Sequence, residues 1–236
     1  MTLKTIKLVG GGRGLAHHDG ATWMVAGALP GEHVRATPIR RRAGVVEAVT
    51  TEVLDDPHPA RDRDPCPHAM GCGGCDWPHV LAAEGAALKR ATAAEAARSH
   101  SELAALVAAA PIASSPLPYR IRARLHWDPV SGRLGFYEPR SWRVSSIPSC
   151  RIVSPELVRA LPHLVMALGR RCPERVDVEW LEGSDPQEAV AALRPARGGP
   201  PTVEPSWVPS EAESCEDVTG FHILSKEGVA RVVGLM

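Results

Sequence analysis

The residues best suited to chemistry lie in one short stretch, Cys66-Pro67-His68-Ala69-Met70-Gly71-Cys72-Gly73-Gly74-Cys75. Three of the six cysteines fall there with the spacing Cys-x5-Cys-x2-Cys, and a fourth, Cys150, follows 75 residues after Cys75. Thiolates bind metals and attack electrophiles. In a reducing compartment a cluster of them is more often a metal or redox site than a disulfide framework. Three cysteines on a tight loop suit three corners of an iron–sulfur cubane, with the fourth corner left to a distant residue. Gly73 and Gly74 would let backbone amides approach inorganic sulfide. Zinc more often takes two separated ligand pairs and would recruit His68 or His79. Spacing therefore leaves iron–sulfur, zinc and thiol redox chemistry open, in that order. On any metal reading, the metal ties the segment before the cluster to the segment after it. Of the remaining thiols, Cys172 and Cys215 have the profile of inert small hydrophobes.

The second group of candidate residues is basic. The 236 residues hold 27 Lys+Arg and 27 Asp+Glu, so a chain-wide nucleic-acid coat is excluded and any such surface must be a local patch. Seven Lys/Arg against three acids occur up to residue 50, densest at Arg40-Arg41-Arg42, and six Arg against two acids occur over 119–143. In Tyr119-Arg120-Ile121-Arg122-Ala123-Arg124-Leu125 the alternation predicts a strand with one basic face. Three guanidiniums on one face repel one another unless an anion or carboxylate lies between them. RNA is the expected anion there, whereas the triplet at 40–42 has more the pattern of a solvated face. Trp23, Trp127, Tyr137 and Trp142 are expected mainly in core packing, with stacking on unpaired bases as the alternative.

These groups must be held by elements that the pattern also predicts. Thr5–Val9, Thr22–Val25, Glu32–Ala36 and Val45–Leu54 read as short strands of a small closed barrel of the oligonucleotide-binding type. Gly10-Gly11-Gly12-Arg13-Gly14 precedes another strand, not a helix, so it reads as a turn and not a phosphate loop. Residues 57–65, rich in proline and charge, predict an extended linker. His79–Arg98 is alanine-rich and predicts a helix, and Ser99-x-x-Glu102 has capping-box spacing for a second. Strands are expected from Tyr119, over Leu134–Tyr137 and over Trp142–Ile147. Ser154-Pro155-Glu156 starts a helix that Pro162 is expected to kink or interrupt. Strands follow over Val176–Leu181, Ala189–Leu193, Gly220–Leu224 and Val229–Leu235, with a loop over 195–216. The fold class expected is α+β, mainly β. With no apolar leader, and its longest apolar run (Leu103–Ile112) short of a span, the chain is expected to be cytoplasmic, away from membranes, and monomeric.

Cys66-x5-Cys72-Gly-Gly-Cys75 with His79, then Tyr119 to Leu125 and Cys150, resembles the RNA uracil-5-methyltransferase family, in particular the branch that acts on 23S ribosomal RNA. Gly12-Arg13-Gly14-Leu15-Ala16, Asp19-Gly20 and Val25 to Glu32 resemble that family's TRAM domain, an RNA-binding β-barrel. The similarity covers about residues 5–155 and weakens beyond. It implies a TRAM-like barrel over 1–56, the linker over 57–65, and a central domain over 66–236 with a cluster loop (66–80), a helical segment (79–110) and a β-rich part (119–236). It also implies a [4Fe-4S] cluster held by Cys66, Cys72, Cys75 and Cys150. Independently of the resemblance, the two basic patches make Arg40, Arg41, Arg42, Tyr119, Arg120, Arg122 and Arg124 the candidate RNA contacts. Two departures are Pro78, where the family often has Gln, and Ile121, where it often has Asn; the latter removes a polar contact. The family's reaction uses a cysteine nucleophile on a flipped-out uracil, a carboxylate base, and S-adenosylmethionine bound on a doubly wound α/β domain. No strand–glycine turn–helix unit follows residue 150, so the catalytic half is expected to be missing and this chain alone is expected not to transfer methyl groups. The competing expectations are a stand-alone RNA-binding iron–sulfur or zinc module, and a zinc-stabilised interaction domain without an RNA role.

Overall fold

The structure, a computed structural model, describes residues 1–55, 57–183, 189–196, 220–224 and 230–234. It is α+β with most of its order in two sheets, and it divides into two compact units. The units do not follow the expected boundaries. One is Met1–Cys66 with Cys75–Ser114, and the other is Pro67–Gly74 with Ser115–Met236. The helical segment expected in the central domain therefore groups with the N-terminal strands.

The first unit is built on β1 (Thr2–Lys4), β2 (Lys7–Val9), β3 (Arg13–His18), β4 (Ala21–Ala26), β5 (His33–Arg42) and β6 (Val45–Asp55), in the order β1-β5-β6-β4-β3-β2. Of the predicted strand Thr5–Val9 only Lys7–Val9 forms, as β2 at one edge of the sheet, and β1, which was not predicted, lies at the other edge. Only Thr5 and Ile6 join them, and the three Cα–Cα steps from Lys4 to Lys7 reach about 11 Å at most, so the sheet must curl to bring its two edge strands near each other. Thr5 serves that corner, donating its amide to the Glu32 carbonyl at 3.0 Å and its hydroxyl to the Leu29 carbonyl. Inside lie Leu3, Trp23, Val25, Val34 and Val46, all nearly inaccessible to water. Each such side chain contributes about 1.5–3 kcal/mol by its burial. Strand β5 runs six residues past the predicted end, through Pro38, where the register with β6 shifts between Pro38 and Arg40. A bulge is where a strand tolerates proline. The β5–β6 hairpin closes through Ala43 (φ 47°) and Gly44 (φ 79°), a two-residue turn with both φ positive. Gly10–Gly12 form the expected turn. Gly12 has φ 67°, and a Cβ on it would fall 1.8 Å from Nε1 of Trp77, so only glycine fits beneath that indole.

Residues 57–65 are pinned to this unit and are not a free linker. Ala60 is buried, Arg61 forms an isolated bridge with Val80, and the Leu81 amide donates to the Ala60 carbonyl at 2.9 Å. The helices α1 (Ala82–Ala96) and α2 (Ser101–Ala109) follow. Helix α1 begins three residues later than predicted. No side-chain cap is made at either N-terminus, so the spacing at Ser99 and Glu102 does not become a capping box. Neither helix buries a residue, and alanine propensity accounts for them better than an apolar stripe.

The second unit is a sheet of β7 (Arg122–Asp128), β8 (Arg133–Tyr137), β9 (Val144–Ser146), β10 (Val176–Glu182), β11 (Ala189–Pro195), β12 (Gly220–Leu224) and β13 (Ala230–Gly234), ordered β13-β12-β11-β10-β7-β8-β9. Among the described residues only β11–β12 is a parallel pair in this sheet. Helix α3 (Pro155–Arg171) packs on one face. Its Leu157, Leu161, Leu164 and Leu168 join Leu125, Trp127, Val176, Val178 and Trp180 in one core. Ser154 caps it, its hydroxyl oxygen accepting from the Leu157 amide at 3.2 Å. The helix continues through Pro162, so the proline does not interrupt it. Leucines on the face that meets the sheet hold the turns on both sides of the proline, and tertiary packing overrides its local cost. The strand expected at Trp142–Ile147 is shorter, and Trp142 lies in the turn before it. The loop expected over 195–216 lies largely outside the described residues, as does Cys215.

Candidate functional site

The face of the second sheet opposite α3 is set by strand alternation. Val176, Val178 and Trp180 point into the core, so Asp177 and Glu179 point the other way, and on β7 Arg122, Arg124 and His126 share that outer face. Arg194 of β11 stands opposite Asp177 and completes the row. The three guanidiniums converge on one carboxylate. Glu179 meets Arg124 at 2.5 Å, Arg194 at 3.2 Å and Arg122 at 4.0 Å. The sequence demanded an anion or carboxylate between these arginines, and Glu179 is that carboxylate. It does not neutralise them: among the described residues three guanidiniums face two carboxylates, Glu179 and Asp177, so the arginine row keeps a surplus of positive charge. The side chains of Arg122, Arg124 and Arg194 remain 71, 51 and 46% exposed.

Arg120 is not part of that row. It precedes β7, pairs with Val153 in an isolated bridge, and places its guanidinium 5.7 Å from the centroid of Phe136. Tyr119 is exposed, and its amide donates to the Ile152 carbonyl at 3.2 Å. An aromatic group continues the face. His126 donates or accepts at 2.8 Å to Asp177 and stacks on Tyr137 at 3.6 Å between centroids, and Trp142 meets Tyr137 edge-on at 5.3 Å. Burial, with Asp177 nearby, pushes the Tyr137 phenol up from its ordinary value. Trp23 and Trp127 are core residues, as expected, while Trp142 is 65% exposed.

In the first unit Arg40, Arg41 and Arg42 lie on the exposed end of β5. Arg40 pairs with Glu47 at 3.1 Å. Arg40 and Arg41 border an open pocket of roughly 400 Å³ with His18, Asp19, Trp23 and Ile39. Elsewhere in this unit Glu32 is a buried anchor, a role its sequence context did not signal. Its carboxylate accepts from the Leu29 amide at 2.8 Å, the His58 amide at 3.0 Å, and Arg61 Nε and Nη2, each at 2.6 Å. Burial pushes that carboxyl up, but the Arg61 hydrogen bond, the two amides and the Arg61 charge outweigh it and hold it below the usual carboxylate value. Beside it His79 is buried, and desolvation followed by the Arg61 charge lowers it to about 4.

The cysteine loop is held by backbone. The Gly73 amide donates to the Tyr137 carbonyl at 2.8 Å, and a Cβ there would fall 2.7 Å from that oxygen. The Gly74 amide donates to Cys72 Sγ at 3.3 Å, as an amide near a thiolate ligand would. Cys72 and Cys150 both pack against the second unit's core. Cys66, Cys72, Cys75 and Cys150 are all half-buried and outside any disulfide, so the donor set has the chemistry for a cluster. Among the described residues no three His, Cys, Asp or Glu stand together as a metal-holding group. By unit, Cys66 and Cys75 fall in the first and Cys72 and Cys150 in the second. Cys172 is buried, burial pushes its thiol up to about 11, and it donates to the Glu174 carbonyl, all of which fit an inert thiol.

No protein-family profile matches the chain. Over 186 residues, 75% of its length, it is 36% identical to the 23S rRNA (uracil(1939)-C(5))-methyltransferase RlmD of Pseudomonas aeruginosa strain UCBPP-PA14, of which it covers 41%. The chain is a relative of the RNA uracil-C5-methyltransferases. A second relative, the protein of the same name from Alkalilimnicola ehrlichii, is 37% identical over 170 residues, 70% of this chain and 38% of that one. The chain thus spans about two fifths of the length of the curated relatives it matches. Among solved structures, the Pyrococcus abyssi tRNA (uracil-54, C5)-methyltransferase in complex with S-adenosyl-L-homocysteine aligns with a TM-score of 0.60 at 15% identity, over 99% of this chain and 55% of that one. That likeness is one of fold.

Proposed function

We propose that the chain is the RNA-recognising part of an S-adenosylmethionine-dependent 23S rRNA (uracil-C5)-methyltransferase that works in the cytoplasm. Residues 1–56 act as a TRAM-like barrel, 57–65 as its strap, and 66–236 as the central domain. The observation that carries the RNA role is the sheet face on which Arg122, Arg124 and Arg194 share Glu179 and remain solvent-accessible. Guanidiniums so placed pair with phosphates. Tyr119, Arg120 and the Arg40–Arg42 strand end would extend the contact. The names of the relatives favour a methyltransferase over a stand-alone binding module, for which no separate observation speaks.

Within this reading Cys66, Cys72, Cys75 and Cys150 would hold a [4Fe-4S] cluster. The support is the donor chemistry, the glycine-lined loop, and the amide that Gly74 directs at Cys72. The role we assign to the cluster is to fix local structure.

The test is RNA binding against salt, using a fragment of 23S rRNA. Affinity should fall linearly on a log–log plot, and Arg122→Ala with Arg124→Ala should weaken it and reduce the slope by about two. Salt-independent binding, or none, would refute the RNA role. Iron and sulfide analysis after anaerobic purification tests the cluster separately, and stoichiometric zinc without sulfide would refute it.

A further inference from the structure

We infer that Trp142 is a stacking platform for an unpaired RNA base at the edge of the basic sheet face. This rests on the RNA reading above and adds to it a base contact that the arginines cannot supply. Trp142 is 65% exposed, although the fold has two other tryptophans, Trp127 and Trp180, in the same unit's core. Its exposure is not a sign of slack. The turn that carries it is closed on itself: the Glu138 amide donates to the Arg143 carbonyl at 2.9 Å, the Ser141 amide to the Glu138 carbonyl at 3.2 Å, and the Arg143 amide to the Ser141 hydroxyl at 2.8 Å. Tyr137 buttresses the indole edge-on at 5.3 Å and is itself stacked on His126. An aromatic plane held rigidly in water loses little entropy when a base stacks on it.

The surroundings select the occupant. His126 follows Arg124 by two residues on β7, so the aromatic stack continues directly into the arginine row. At the turn, Arg143 (78% exposed) pairs with Glu138, and Arg175 reaches the Trp142 carbonyl at 3.5 Å. Arginines beside an aromatic plane match the alternation of phosphate and base along a single strand. A duplex, whose bases are already stacked, offers the phosphates without the base. The platform should therefore prefer single-stranded RNA, and it should be indifferent to base identity, because every base has a π face.

The experiment compares the full chain with Trp142→Ala and Trp142→Phe, using a fluorescein-labelled oligouridine decamer and an RNA duplex of equal length at several salt concentrations. Trp142→Ala is expected to lose roughly 5- to 150-fold in affinity for the decamer. Its salt slope should be unchanged, because no phosphate contact is removed, and Trp142→Phe should restore most of the affinity. Duplex binding should not change. Equal decamer affinity in wild type and Trp142→Ala overturns the platform and leaves the RNA reading intact. A loss on Trp142→Ala that Trp142→Phe does not restore, or that appears equally on the duplex, also overturns it. Failure of the wild-type chain to bind either RNA overturns both.

Discussion

The chain uses the same chemistry, arginine on glutamate, in two opposite ways. In the first unit one arginine serves one carboxylate: the Glu32 side chain is fully buried, Arg61 is 15% exposed, and two backbone amides complete the shell. In the second unit one carboxylate serves three arginines, all of them about half-exposed or more. The first arrangement has no charge left over and no access for a ligand. The second has surplus positive charge directed at solvent. Burial and stoichiometry thus separate a structural ion pair from a binding surface where residue type does not.

The comparison breaks most visibly at Glu32. Glu32→Ala leaves Arg61 charged in a dry site and two amides unpaired, and should cost about 3–5 kcal/mol of stability in urea denaturation. Glu32→Leu combined with Arg61→Met should cost far less, because neither charge then remains buried. A small loss for Glu32→Ala alone would mean that the strap over 57–65 is not anchored as described.

Acid should reach the same region next. His79 is neutral in the fold, with its pKa lowered to about 4 from 6.5. The unfolded chain therefore binds the extra proton first, and stability falls as pH drops from 6.5 through 4. The loss is on the order of 3 kcal/mol when complete. Glu32, held low, adds its own loss only below 4.5. His79→Gln should flatten the upper part of this profile in thermal melts taken between pH 7 and 4. A wild-type profile that is already flat there would show that His79 is not buried as a neutral ring.

Much of this was legible in the sequence, for identifiable reasons. Period-two alternation fixed β7, because Ala123, Leu125 and Trp127 do enter the core, and the need for an anion or a carboxylate among its arginines, for which RNA was the expectation, was a statement about charge that required no fold. The partner's identity was not legible, since Glu179 lies 55 residues from Arg124 and only the β7–β10 register brings them together. The contacts that pin residues 57–65 were not legible, because proline and charge content signals only an extended linker, while the anchor depends on Glu32, 29 residues before Arg61. The β5–β6 turn was missed because Ala43 takes a positive φ without the Asn or Asp that usually announces one. Trp142 was expected in the core on the habit of its residue type, and only the closed turn at 138–143 exposes it.

The smallest stability effect should fall on the residue most informative about function. Glu179→Gln removes the negative charge from the arginine row while keeping its size and most of its hydrogen bonding. The pairs it breaks involve exposed partners in screening solvent, so folding should weaken by no more than about 1 kcal/mol. RNA affinity should move the other way. A carboxylate among phosphate-binding guanidiniums repels the ligand and competes for the donors, so its removal should tighten binding by roughly fivefold at low salt, about 1 kcal/mol. A lesion of the fold would weaken both. Only a carboxylate whose role is to hold an anion site open until RNA arrives gives opposite signs, and affinity that is unchanged or weaker in Glu179→Gln would show that the arginine row is paired for stability, like Arg61, and does not wait for phosphate.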